Sequence, residues 1–221
     1  SGFLHSITLE ESGILPILIQ SVQPDLPFTQ FYNTSILGRW YFETGRDNYS
    51  VLATKMKIGY QDKYGMSKTD TNRTIPINRR YFAGGSGSVR GWRARDLGVM
   101  PQDILWRGGN FLFEGNIEER INITRGFGKF LFLELDKVWF VTFCDVGNVW
   151  SQVADFNFSS IAVATGFGIR YNTFFGPFRF DVGLKGYDPS ASAGQQTIFQ
   201  KQFLGETFRN AVYHFGIGHA F

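Results

Sequence analysis

Between Gly176 and Tyr187 the chain alternates without a slip: Phe178, Phe180, Val182 and Leu184 fall on one parity, and Arg179, Asp181, Gly183 and Lys185 on the other. A period of two belongs to an extended strand, whose successive side chains point to opposite faces. One face of this strand suits hydrocarbon and the other suits water. The same pattern recurs at 51–60, where Thr54, Met56, Ile58 and Tyr60 oppose Lys55, Lys57 and Gly59. It recurs again at 161–171, where Val163, Phe167, Ile169 and Tyr171 oppose Gly166, Gly168 and Arg170. Further strands are predicted at about 3–11, 33–45, 110–122, 138–149 and 211–221. Strands of ~9–14 residues are long enough to cross a bilayer at a tilt. Gly, Pro, Asn and Asp collect between them, as at 44–48 and 172–177, and short links alternate with long loops, as in an up-and-down barrel.

Composition supports the membrane setting. The chain holds 24 Phe and is 17% aromatic, yet its mean hydropathy is slightly negative. Lipid-facing and lumen-facing residues of a transmembrane barrel alternate and so cancel in a running average. A soluble β-sandwich also alternates, but here the apolar face is consistently the aromatic one. Trp40, Trp139, Trp150, Tyr171 and Tyr213 fall toward strand ends, where an interfacial girdle would sit. The expected fold is therefore all-β, an antiparallel transmembrane β-barrel with about eight strands present. No run reaches the ~18 apolar residues of a spanning helix, the candidate Ile14–Ile19 being interrupted by Pro16. Ser1–His5 lacks the basic and apolar segments of a leader, so the chain is expected to be mature or a piece of something longer.

Several function classes drop out. The balance of 22 basic against 19 acidic residues is too even to argue for nucleic acid. Cys144 is alone, and His5, His214 and His219 lack ligand spacing, so neither a metal nor a cofactor is expected. The run Gly84–Ser88 has neither the glycine spacing of a nucleophile elbow nor a following Gly-Lys-Ser/Thr. Glu118 and Glu119 are neighbours on opposite strand faces and cannot act on one substrate. An enzyme is not expected.

Five motifs, in order, resemble the BamA/TamA superfamily of outer-membrane barrels, the bacterial surface antigen family. They are Arg80–Gly85 with Ser88–Trp92, Gly108-Gly109-Asn110 leading to Glu118, Phe143–Trp150, Gly176–Asp181 and Tyr213–Phe221. The resemblance implies that this chain is the C-terminal half of a sixteen-stranded barrel, one domain over 1–221. A long extracellular loop at about 62–107 would fold back into the lumen, and the N-terminal strands and soluble periplasmic repeats would be absent. It also implies that Val89, Arg90, Gly91 and Trp92 tip that loop, with Arg90 meeting Glu118 and Asp145. The alternation agrees, since Glu114, Asn116, Glu118 and Arg120 share the lumen parity of their strand while Phe113, Gly115 and Ile117 share the other. A guanidinium has five fixed donors, so two carboxylates can hold it in one orientation. Gly91 would permit a turn that a side chain would block.

In the last segment Tyr213, Phe215, Ile217, His219 and Phe221 share one parity, and His214, Gly216, Gly218 and Ala220 the other. This resembles a C-terminal β-signal, carried by Tyr213, Phe215, Ile217, Gly218 and Phe221, with His219 at the level of lipid headgroups. The family implies a multi-pass protein of the bacterial outer membrane that inserts other proteins through a lateral seam by strand pairing, without nucleotide. A secretion pore of the same superfamily and a generic porin are the alternatives. The implied partners are outer-membrane lipid, client outer-membrane proteins or a secreted passenger, accessory assembly subunits, and the missing half of the same barrel.

Overall fold

The structure is a computed structural model that describes the chain except for residues 16, 18–27, 46–48, 99–107, 125, 127, 131–132 and 201–207. Most of the turn expected at 44–48, the last part of the long loop, and Pro16, Leu18 and Ile19 of the apolar run therefore lie outside the described residues.

The strands are β1 (Gly2–Ser12), β2 (Phe31–Glu43), β3 (Ser50–Lys63), β4 (Phe111–Ile121), β5 (Lys129–Phe130), β6 (Leu133–Glu134), β7 (Val138–Trp150), β8 (Ala162–Thr173), β9 (Gly176–Tyr187) and β10 (Val212–Ile217). Eight of them form one sheet in the order β1-β2-β3-β4-β7-β8-β9-β10, and every pair in it is antiparallel. β5 and β6 make a separate two-stranded ribbon inside the β4–β7 connection, an element that carries too few residues for a period to be read. Connections of 18, 47, 11 and 24 residues leave one end of the sheet and connections of 6, 16 and 2 residues the other. The tightest is the two-residue link Phe174-Phe175, where Thr173 Oγ1 donates to the Gly176 carbonyl at 2.6 Å.

The two faces are inside-out relative to a soluble protein. Ile7, Ile36, Met56, Ile117, Ile169, Phe180 and Phe215 are exposed on one face, whereas Lys55, Glu114, Asn116, Glu118, Asp145, Arg170 and Asp181 are buried on the other. Charged residues are almost never buried unless paired, and large apolar residues gain from leaving water. Both statements are satisfied when the outer face meets lipid. No helix among the described residues is long and apolar enough to cross a membrane.

The sheet is curled but not closed. Phe221, at the end of the chain beyond β10, places its ring 5.6 Å from Lys55 Nζ on β3, across a trough floored by the four strands between them. Among the described residues β1 pairs with β2 alone and β10 with β9 alone.

The last segment departs from its expected course. Tyr213, Phe215 and Ile217 share the exposed outer face, but β10 ends at Ile217. Gly218 adopts φ +95°, the left-handed region that glycine enters without strain, and its N–H donates to the Pro177 carbonyl at 2.7 Å. The chain then turns inward, burying Phe221 between Lys55 and Arg120. Phe221 thus lies off the Tyr213 face, and His219 lines an inward cavity with Arg120, Trp139 and Arg170. The supposed girdle splits as well. Trp139 pairs across β8 with Arg170 and shares its inward parity, while Trp150 is buried under the 151–161 connection, its indole N–H donating to Ser160 Oγ at 2.8 Å.

Candidate functional site

The long connection between β3 and β4 lies against the inward face of the sheet. It is tied to itself by an isolated bridge between Tyr81 and Gly109 and another between Ala83 and Leu97. Between these, Gly84 and Gly85 take φ +95° and +104°, which reverses the chain toward the sheet. Gly85 N–H then donates to the Trp92 carbonyl at 3.0 Å, closing residues 85–92 into a compact tip. Val89 and Trp92 bury their side chains with Ala83, Leu97, Leu112, Val149, Ala162 and Ala164. This apolar cluster anchors the tip on β4, β7 and β8.

Arg90 lies between the two apolar anchors and is 1% exposed. Its Nε and Nη2 donate to Asp145 Oδ2 and Oδ1, both at 2.8 Å, in a fork-to-fork arrangement. Its Nη1 donates to Glu118 Oε2 at 2.6 Å, and its backbone N–H to Asp145 Oδ2 at 3.1 Å. The guanidinium plane stacks over Phe143, 3.5 Å from the ring centroid. Burial alone would loosen the proton of Arg90, but the hydrogen bonds and charges of Asp145 and Glu118 outweigh it and raise the pKa above that of a free arginine. A lysine would supply the charge without the planar fork or the stacking.

The geometry requires a close backbone approach. Gly91 does not occupy the left-handed region; a β-carbon there would lie 3.0 Å from Ala164 Cβ and 3.1 Å from the Leu184 carbonyl oxygen. It sits in the turn that the Trp92 N–H closes on the Val89 carbonyl at 3.2 Å, and a side chain there would be blocked for want of space, as expected.

Several participants were not assigned from the sequence. Ser88 Oγ donates to Glu114, Asn116 Nδ2 donates to the Ser88 carbonyl at 2.7 Å, and Lys55 Nζ to the Gly87 carbonyl at 2.5 Å. Arg179 Nη1 reaches the Ser86 carbonyl at 3.1 Å, and His214 Nε2 lies 2.9 Å from the Arg90 carbonyl oxygen. Arg170 donates to Asp181 at 2.6 Å and Arg120 to Glu118 at 2.7 Å. Every one of these side chains on a strand has the inward parity that alternation alone gives. The tip therefore contacts β3, β4, β7, β8, β9 and β10 at once.

Residues 21–221 match the Omp85 superfamily domain. The chain belongs to the Omp85 superfamily. Members of that superfamily are outer-membrane β-barrels that insert or transport proteins. Among solved structures, the crystal structure of BamA from Haemophilus ducreyi lacking POTRA domains 1–3 is similar to this Omp85 chain, with a TM-score of 0.53 and 20% identity. The similarity covers 69% of this chain and 31% of that one, so the chain spans about a third of its relative's length. At that identity the likeness is one of fold. The eight antiparallel strands of this Omp85 chain and its open sheet match part of such a barrel.

Proposed function

We propose that residues 1–221 form the C-terminal part of an outer-membrane barrel that assembles client proteins by pairing their strands at a lateral seam bounded by β10. The observation that carries this reading is the link from the buried tip to the edge of the sheet. Arg90 is locked on Asp145 and Glu118, and its own carbonyl lies within hydrogen-bond distance of His214 on β10. The tip therefore fixes the inner face of β10 while the far edge of that strand carries no partner among the described residues.

Unpaired backbone groups facing lipid cost several kcal/mol each, so such an edge must pair with something. An edge of this kind can be exchanged between its own barrel and an incoming strand, because the bonds lost and gained are alike. No nucleotide is then needed to drive the step. In this reading Tyr213, Phe215 and Ile217 face lipid beside the seam, and Arg90 with Glu118 and Asp145 serves to hold the seam in register.

The test uses the full-length protein carrying this region, reconstituted in lipid vesicles with an unfolded outer-membrane client. A photo-crosslinker in place of Tyr213 is expected to capture the terminal strand of the client while the client folds. Crosslinks confined to inward positions such as Lys57 or Lys185, with a passenger crossing the membrane, would instead mark a secretion pore. Free solute flux with neither crosslink would mark a porin.

A further inference from the structure

Beneath the tip, four arginines meet three carboxylates: Arg90, Arg120, Arg170 and Arg179 face Glu118, Asp145 and Asp181. The surplus positive charge is unevenly placed. Every guanidinium nitrogen of Arg90 donates to Asp145 or Glu118, whereas Arg120 Nη2 and both Nε and Nη2 of Arg170 are buried without a hydrogen-bond partner among the described residues. Arg120 is 7% exposed and Arg170 1%. Asp181, the carboxylate nearest Arg170, takes only its Nη1, at 2.6 Å, and the carboxylate between the two arginines is already committed, since Glu118 Oε1 accepts from Arg120 Nε at 2.7 Å and Oε2 from Arg90 Nη1 at 2.6 Å. Arg170 Nη2 stands 3.6 Å from that second oxygen.

Both arginines line a cavity of about 190 Å³, together with Val51, Trp139, Asn172 and His219. It lies at the end of the sheet that carries the short connections, away from the tip. Among the described residues no acidic side chain lines it. A guanidinium and an indole N–H can only donate, and the Asn172 amide and His219 imidazole can each donate as well. A buried guanidinium left unserved is costly, and one anion with several acceptor oxygens serves these donors with an opposite charge as well as with hydrogen bonds. The group that matches a concave, donor-lined, cationic cavity of this size is a small oxyanion with several acceptor oxygens, for which arginine forks are the usual protein counterpart.

We propose that this cavity is a binding site for a phosphate group, held by Arg120 and Arg170 with Trp139, Asn172 and His219 around it. The group is either free phosphate or the headgroup phosphate of a lipid. Its charge balances the arginine cluster on the side that Asp145 does not reach.

The experiment uses the full-length protein in a phosphate-free maltoside detergent. Inorganic phosphate is titrated by calorimetry, and phosphatidic acid in nanodiscs is followed by native mass spectrometry. Saturable one-to-one binding of either is expected, weakened about tenfold or more by Arg120→Gln, the consequence of losing a charge-assisted bond. Val51→Phe, which fills the cavity and removes no charged side chain, is expected to abolish it while heat-modifiable migration on gels shows that the barrel still folds. Phosphatidic acid bound without competition from inorganic phosphate assigns the lipid as the source, and the reverse assigns the free ion. If neither binds to the folded protein, or if both folded variants bind as well as the parent, the site does not exist.

Discussion

Gly183 lies directly beneath the Arg90 carbonyl, so that a β-carbon at position 183 would stand 1.9 Å from that oxygen. The glycine on β9 and the arginine of the tip thus determine each other: the arginine reaches Asp145 because the strand below it has no side chain. Gly183→Ala is expected to lift the tip, at a cost of about 1–3 kcal/mol for forced overpacking. Limited proteolysis should show faster cleavage within 84–92. Gly2→Ala, whose added carbon meets nothing within 4 Å, should leave the cleavage rate where it was.

Glu118 serves three arginines, accepting from Arg90 and Arg120 and standing 3.6 Å from Arg170. Glu118→Ala removes the anion that holds them together and leaves buried cations uncompensated, with an expected loss of about 3–5 kcal/mol. The temperature at which the protein unfolds on gels should fall accordingly. Glu118→Asp keeps the charge but shortens the reach, and should fall between the parent and the alanine variant.

The outer face makes a separate prediction. Cys144 is exposed and has the lipid-facing parity of β7. In membranes it should react with an uncharged, lipid-soluble maleimide and resist a charged, membrane-impermeant thiosulfonate; in urea both should react. Fast labelling by the charged reagent in intact membranes would place this face in water.

Phe215, 76% exposed on the outer face of β10, bears on membrane assembly. A charge placed on that face costs roughly 2–4 kcal/mol near the membrane midplane. Phe215→Arg is therefore expected to lower the amount of protein in the outer membrane, measured by fractionation. The same change at Phe158, an exposed residue of the β7–β8 connection, should have little effect.

The strands could be read from the sequence because alternation is local: Phe178 against Arg179 or Ile117 against Glu118 declares a face without reference to the rest of the chain. The inward parity of Glu114, Asn116 and Arg170 was visible for the same reason. What parity does not carry is depth along the strand and curvature of the sheet. The network that joins Arg90 to Asp181 and His214 therefore had to be seen in three dimensions. The same gap explains Trp139, whose position near a strand end suggested an interface although its parity pointed to Arg170. The terminal segment fails differently. Residues 213–221 keep a perfect period of two, yet Gly218 leaves the strand region, and a pattern cannot register a change of backbone conformation. The 129–134 ribbon is too short to show any period.

Arg90 and Asp145 should behave as one unit, and a double-mutant cycle on the full-length protein measures this most directly. Arg90→Ala and Asp145→Ala each break a buried, forked pair, and each is expected to expose residues 84–92 to protease and to reduce insertion of a client. Because either change already destroys the shared interaction, the double variant should be little worse than the single ones, with a coupling energy of about 1–3 kcal/mol. Strict additivity, together with protease access to the tip unchanged in all three variants, would contradict the docked loop and leave Arg90 an ordinary solvated residue.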